Sequence, residues 1–195
     1  MKILTTRWLA PALLLGMAPA AIAQESPWQI EGRLGAALPL GDLGDVELDP
    51  GISLSATLSY RLTDSLAVYG GWGWHLLGAE EVEATPDGAV EETGYVLGLA
   101  FESPLAETGL DYRLHGGVTY EHIEIEDDDG DVVEDTGHGA GFELGAALVW
   151  PLSEQLSLTP GLRYRYLSRD IELGEQSSSE ELTFVSTEVG LAWRF

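Results

Sequence analysis

The last twelve residues of the chain, FVSTEVGLAWRF, alternate between two kinds of side chain. From Val185 every second residue is apolar apart from one Thr, whereas the intervening positions, which start at Phe184, are mostly small or charged and end on Arg194. A repeat of two is the pattern of a β-strand with two different faces. It recurs over eight segments of ten or more residues, at Trp28–Leu38, Gly51–Leu62, Leu66–Leu77, Thr93–Glu102, Leu110–Glu121, Gly139–Leu152, Leu156–Arg169 and Leu182–Phe195.

The connections between these segments alternate in length. Short turns occupy 63–65, 103–109 and 153–155, whereas long connections occupy 39–50, 78–92, 122–138 and 170–181. This alternation predicts an all-β, antiparallel up-and-down barrel of eight strands, with both termini at the end that carries the short turns.

The repeat alone does not say which face of the barrel is wet. A soluble barrel keeps its apolar face inside, whereas a membrane barrel turns it outward against lipid. Within the apolar set, aromatic residues gather near both ends of the segments and aliphatic residues fill the middle. Two aromatic girdles around an aliphatic band favour the transmembrane form. The predicted girdle residues are Trp28, Tyr60, Trp74, Tyr95, Tyr112, Tyr120, Trp150, Tyr164, Trp193 and Phe195.

The opposite face of the segments carries charge and contains no lysine. Arginine forms forked pairs with carboxylates, and buried charges must be paired, so a balanced set indicates a confined interior. The long connections hold 23 of the 33 acidic residues, which predicts four acidic extracellular loops. The predicted lumen network has six arginines and six acids: Glu31, Arg33, Arg61, Glu102, Asp111, Arg113, Glu121, Glu143, Arg163, Arg165, Glu188 and Arg194.

Eight strands enclose a space that side chains just fill, so this network predicts a plugged barrel. Small residues at lumen positions have two interpretations: they make room for large polar side chains, or they leave a narrow wet path. These positions are Gly35, Gly71, Gly73, Gly98, Gly117, Gly145 and Gly161.

The start of the chain has the plan of a secretory signal peptide. Lys2 and Arg7 precede an apolar run that ends in Ala21-Ile22-Ala23, so residues 1–23 are predicted to be cleaved and 24–195 to form one barrel domain. The absence of cysteine excludes a disulfide framework or a thiolate metal site. A net charge of −24 argues against nucleic acid as a partner.

Taken together, these features resemble the small eight-stranded outer-membrane β-barrels of the OmpA/OmpX and opacity-protein type, a porin-like architecture. The resemblance implies the outer membrane of a Gram-negative bacterium, periplasmic termini, a monomer, and contact with lipid and lipopolysaccharide. It also implies that Trp193 and Phe195 form a C-terminal signal for the barrel-assembly machinery. One departure is Pro160, which has no N–H for the strand ladder and predicts a bulge or a lower membrane boundary.

The candidate chemistry is sparse. His75 and His115 have lumen parity. An outer-membrane lipid hydrolase would require a serine, a histidine and an acid together at the lipid-facing rim; His122 lies near Glu121 and Glu124, but no serine lies close to it in the sequence. The stretch EDDDGDVVED favours a hairpin tip, with Asp127, Asp129 and Asp131 as a weak alternative site for Ca²⁺ or Mg²⁺. No cofactor and no catalytic residue are predicted.

These observations predict a non-enzymatic barrel with a structural role in the envelope, or one that presents acidic loops to divalent cations or a basic partner. The alternatives are a narrow pore or OmpW-like small-molecule conduit, a lipid hydrolase, and a soluble secreted barrel.

Overall fold

The computed structural model describes residues 26–44, 46–80, 88–127, 132–173 and 176–195, and the predicted signal peptide lies outside these ranges. The described residues form nine β-strands, and none of them forms a helix of the length and apolarity that crossing a bilayer requires. The strands are β1 Trp28–Pro39, β2 Glu47–Arg61, β3 Leu66–Glu80, β4 Gly88–Pro104, β5 Asp111–Glu126, β6 Val132–Asp135, β7 Gly139–Pro151, β8 Leu156–Leu173 and β9 Gln176–Arg194.

Eight of these strands close into the predicted antiparallel barrel. Barrel strands that follow one another along the chain pair, with β5 pairing directly with β7; β1 pairs with β9 and closes the barrel, and the short β6 pairs with β5 beyond the barrel wall. The hydrogen-bonded partners of Gln29, followed strand by strand around the barrel, return to β1 at Pro39, ten residues further along. A stagger of this size tilts the strands by roughly 40° to the barrel axis.

The predicted short turns are confirmed, but several strands extend further at the opposite end. For example, β4 begins at Gly88 where the sequence predicts Thr93, and β9 begins at Gln176 where it predicts Leu182. The bulge predicted at Pro160 is absent. Pairing of β8 with β7 stops after Gly161 and resumes at Leu158 in the same register, because the proline removes a donor without adding a residue.

In the half of the barrel next to the short turns, the apolar side chains point outward. Leu97 and Val118 are 67% and 63% exposed, whereas the inward-facing Glu121 and Glu143 are 0% and 1% exposed. A water-soluble barrel has the opposite arrangement. The outer surface is therefore the lipid-facing one, and the predicted orientation is confirmed.

Beyond the upper aromatic residues the side chains keep the same alternation, but the polarity of the two faces inverts. On β5, Tyr120 faces outward and Glu121 inward, but further along the strand the carboxylate of Glu124 faces outward while Ile123 and Ile125 are fully buried inside. The same change brings apolar residues of six other strands and one loop into a single cluster. Its members are Ala37, Leu43, Val46, Leu48, Leu77, Ala79, Val90, Ile123, Ile125, Leu167, Leu182 and Phe184. We call this cluster the apolar plug.

The connection between β1 and β2 supplies part of the apolar plug. Leu43 and Val46 pair through two backbone hydrogen bonds of 2.9 and 3.0 Å, and both side chains are buried. An irregularity between Asp49 and Ile52 lets Leu48 point inward while Ile52 points to lipid. The barrel therefore has two environments along its axis: polar inside and apolar outside within the membrane, and the reverse above it.

Leu99 offers a test of this orientation, because it faces outward between the two aromatic girdles. We expect Leu99→Arg to lower the free energy of unfolding by about 2–4 kcal/mol, since a guanidinium in the apolar band is poorly solvated. Urea unfolding of the refolded protein in lipid vesicles measures this loss. The matched control is Leu105→Arg in an exposed turn, and equal small effects of the two substitutions would contradict the orientation.

Candidate functional site: the charged lumen

Arg165 on β8 is the centre of the charged lumen. Its side chain is fully buried, and its two terminal nitrogens donate to carboxylates from three other strands. Nη1 lies 2.5 Å from Glu121 and 3.1 Å from Glu92, and Nη2 lies 2.7 Å from Glu143. His75 adds a contact between its Nδ1 and the second oxygen of Glu92. This arrangement binds β4, β5, β7 and β8 together across the barrel interior.

A second group of ion pairs lies nearer the short turns. Glu31 accepts hydrogen bonds from Arg113 at 2.7 Å and from Thr159, and forms an ion pair with Arg33 at 2.8 Å. Arg113 also donates twice to Glu102, at 2.8 and 3.0 Å. Arg33 and Arg113 are at most 6% exposed, so the carboxylates take the place of water around their guanidinium groups.

Arg163 connects the two groups. Its guanidinium lies 3.3 Å from Glu143 and 3.1 Å from Glu188, and Glu188 in turn lies 3.7 Å from Arg33. Hydroxyl groups also donate hydrogen bonds to two of these carboxylates: Ser53 donates to Glu188 and Tyr69 donates to Glu143, each at 2.8 Å. The result is one network that runs through the lumen from Glu102 to Glu92.

Toward the short-turn end the lumen opens into a cavity that residues of this network line, among them Glu31, Arg113 and Arg163. We call this narrow cavity, which is open at its mouth, the vestibule. Arg61, Asp64 and Arg194 line its outer part, whereas Tyr69 and Glu143 line its inner part. The vestibule ends beneath the Arg165 ion pairs, and above those the apolar plug fills the barrel.

The ion pairs described above connect a large part of the predicted network. The residues that they connect are Glu31, Arg33, Glu102, Arg113, Glu121, Glu143, Arg163, Arg165 and Glu188. Closer to the short-turn end, Arg61 and Arg194 line the vestibule, and Asp111 is half-buried at the start of β5.

Sequence reasoning missed two buried charged residues. Glu92 lies one position before the predicted start of its strand and was assigned to a loop, although it is fully buried beside Arg165. Arg169, the last residue of its predicted segment, is not in the predicted network, although its side chain is only 6% exposed and donates to the carbonyls of Glu121 and Gly139 at 2.7 and 2.5 Å. For Glu92, continuing the strand alternation by one residue gives the inward direction, and Arg169 already has inward parity within its segment.

Two lumen glycines show what the small residues do. A Cβ on Gly73 would lie 3.0 Å from a terminal nitrogen of Arg165, and one on Gly145 would lie 2.3 Å from the ring of His115. Since the space beside these glycines is already filled, the first interpretation of the small residues, room for large polar side chains, is the one that the packing supports.

The outer surface above the girdles is acidic. Glu91, Glu124 and Glu126 lie close enough that one oxygen from each falls within 4.8 Å of the others. Burial of Glu91, which lies beyond the membrane band, raises the pKa of its carboxyl; the hydrogen bond from Trp74 opposes this shift, and the two neighbouring carboxylates reinforce it. The predicted alternative metal residues are only partly placed: Asp127 is half-buried after β5, and Asp129 and Asp131 lie outside the described residues.

The predicted girdle residues all lie on the outer face of the barrel. Near the short turns, Trp28 contacts Tyr60 edge-on with 4.9 Å between ring centroids, and Trp193 contacts Phe195 at 5.2 Å. At the other level, Phe142 stacks on Tyr166 at 5.3 Å. The remaining predicted members, Trp74, Tyr95, Tyr112, Tyr120, Trp150 and Tyr164, have the same outward parity.

Comparison with known proteins agrees with this architecture. Residues 8–195 match the family described as outer membrane protein beta-barrel domain, and the chain belongs to that family. The family places the protein in the outer membrane of Gram-negative bacteria, in contact with lipid and lipopolysaccharide. No curated protein matches the sequence.

Several solved structures share the fold. Neisserial surface protein A is 11% identical with a TM-score of 0.61, and the alignment covers 87% of this chain and 98% of that one. The outer membrane protein OprG of Pseudomonas aeruginosa is 14% identical with a TM-score of 0.58, over 88% and 97%. The Escherichia coli outer membrane protein W is 17% identical with a TM-score of 0.53, over 88% and 100%. At these identities the likeness is one of fold.

The contribution of the Arg165 ion pairs to the stability of the barrel can be measured directly. We expect Arg165→Ala to lower the free energy of unfolding by about 3–5 kcal/mol, because it leaves buried carboxylates without their partner. Arg165→Lys should fall between that variant and the wild type, since it keeps the charge but loses the fork. Urea unfolding in detergent micelles, followed by tryptophan fluorescence, gives the values.

Arg61→Ala is the matched control, because Arg61 lines the vestibule and takes no part in the ion-pair network. Its effect should stay within roughly 0.5 kcal/mol. If removal of Arg165 costs no more than removal of Arg61, the network does not stabilise the barrel.

Proposed function

We propose that the protein is a non-enzymatic, occluded outer-membrane barrel, with a structural role in the envelope and an acidic outer surface for interactions. The observation that carries this proposal is the closure of the lumen by two successive layers. The Arg165 ion pairs form the first, and the apolar plug forms the second. A solute that enters the vestibule meets both.

The proposed topology places the short turns and both termini in the periplasm and the long connections outside the cell. The first and last described strands begin and end at the short-turn end, with Trp28 and Arg194 on adjacent strands. Residues 1–23 would then be the cleaved export signal. Trp193 and Phe195 would serve both as girdle residues and as the signal for barrel assembly, and the continuous lipid-facing surface supports a monomer.

The carboxylates above the girdles support the proposal that the outer surface is a site of interactions. The outward-facing Glu47, Asp49 and Glu126 lie at strand ends above the girdles. Carboxylates at this level would meet the divalent cations that bridge lipopolysaccharide, or a basic partner molecule.

Transport through a narrow pore is the second candidate, and the vestibule is the observation that favours it. A passage would require the Arg165 ion pairs to separate and the apolar plug to move, each at a considerable free-energy cost. Catalysis has less support: His122 lies beside Glu124, Asp135 and His138, and within the described residues no serine belongs to this group.

A deletion strain distinguishes the structural role from transport. We expect deletion to increase sensitivity to detergent and EDTA without slowing the uptake of small solutes, since an occluded barrel carries none. Slower uptake with unchanged sensitivity would contradict the structural role and favour the pore.

Complementation tests the acidic surface with charge-matched variants. Wild type should restore resistance, whereas the triple variant Glu47→Gln, Asp49→Asn, Glu126→Gln should restore it only in part. The matched control neutralises three carboxylates in the short turns, Asp64→Asn, Glu107→Gln and Glu154→Gln, and should restore it fully. Equal behaviour of the two triple variants, at equal amounts of folded protein, would remove the acidic surface from the proposal.

A further inference from the structure

Two histidines and two carboxylates meet on the outer face of the barrel above the upper girdle. The rings of His122 and His138 lie 4.4 Å apart between centroids. Glu124 Oε1 lies 3.5 Å from His122 Nε2, and Asp135 Oδ1 lies 4.0 Å from His122 Nδ1. One possible ligand atom from each of His122, Glu124 and Asp135 falls within 4.8 Å of the others. None of the four residues belongs to the lumen network.

The backbone brings these side chains together by a hairpin and a turn. Glu124 on β5 and Asp135 on β6 are antiparallel partners, so their side chains lie side by side on one face. Gly137, with a φ of +65°, then reverses the chain, and its N–H donates to Asp135 Oδ1 at 2.9 Å. Thr136 Oγ1 accepts from the Ile123 N–H at 3.0 Å and fixes the turn to β5. His138 follows this turn directly, which places its ring against His122 and, at 5.3 Å, against Tyr120.

The donor set is that of a transition-metal site. Imidazole nitrogen together with carboxylate oxygen suits Zn²⁺ and its neighbours, whereas Ca²⁺ and Mg²⁺ prefer oxygen ligands alone. Four-coordinate zinc places its ligand atoms roughly 3.3 Å apart, so small side-chain rotations would close the His122, Glu124 and Asp135 group around an ion, with the His138 ring beside it. His122 and Glu124 are half-buried while Asp135 and His138 are exposed, which leaves the group open to ions from the outer medium.

We propose that His122, Glu124, Asp135 and His138 form a surface site for a divalent transition-metal ion of the Zn²⁺ class. A bound ion would connect the β5–β6 hairpin to the start of β7. The site lies on the same outer surface as the acidic residues of the proposed function, but its four ligands differ from the three carboxylates tested there. Failure of either idea therefore leaves the other standing.

Titration calorimetry of ZnCl₂ into the refolded mature protein in detergent tests the proposal. We expect one ion per chain, at least tenfold weaker binding after His122→Ala or His138→Ala, and binding of CaCl₂ at least tenfold weaker than that of ZnCl₂. Glu107→Gln, which removes an exposed carboxylate in the short turn at the opposite end of the barrel, is the matched control and should bind as the wild type does. Unchanged zinc binding by the double alanine variant, or equal affinity for the two ions, would overturn the proposal.

Nuclear magnetic resonance of the imidazole nitrogens keeps the test decisive if a variant fails to fold. In the wild-type protein, added ZnCl₂ should shift the ring signals of His122 and His138 and leave those of the lumen residues His75 and His115 in place. Shifts at the lumen histidines alone, or at none of the four, would show that the surface group does not bind the ion.

Discussion

A guanidinium buried at the centre of a barrel too narrow to hydrate it is the constraint around which this structure is organised. Arg165 has no exposed surface and takes its solvation from carboxylates on β4, β5 and β7. A buried charge of this kind is tolerated only when its partners are in place. The surrounding lumen meets that need, because glycines leave room beside the large side chains, and the hydroxyl groups of Ser53 and Tyr69 add hydrogen bonds to Glu188 and Glu143. The occlusion of the barrel follows from the same interactions.

The apolar and polar faces of the strands exchange along the barrel axis, because the surroundings of the barrel change from lipid to water. Within the lipid band the outward positions are apolar and the inward ones polar. Above the upper girdle the outward positions carry Glu91 and Glu124, and the inward ones carry Val90 and Ile123. A single strand therefore presents apolar residues to lipid and, further along, polar residues to water. The exchange locates the membrane boundary on β5 between Tyr120 and Glu124, and it produces a water-excluding layer directly above the ion pairs.

The sequence was sufficient to predict the strands, the short turns and the direction of nearly every side chain within the membrane. A period of two sorts the residues of a strand into two faces and leaves open only which face points outward, and the aromatic girdles and the paired charges decided that choice. The ends of the strands above the girdles were predicted less well. There the apolar residues, such as Ile123 and Phe184, lie on the inward face, so the pattern in the sequence looks like the end of a strand although the strand continues from lipid into water. The stagger of ten and the pairing of each arginine depend on contacts between distant strands, which one sequence does not specify. The His122–His138 contact was missed because a turn at Gly137, outside any strand pattern, creates it.

The conductance of the refolded protein in a planar lipid bilayer tests the central claim most directly. The two closing layers predict no steady channel in the wild-type protein. A stable conductance that changes with Arg165→Ala would contradict occlusion, because it would show that the buried ion pairs line an open path.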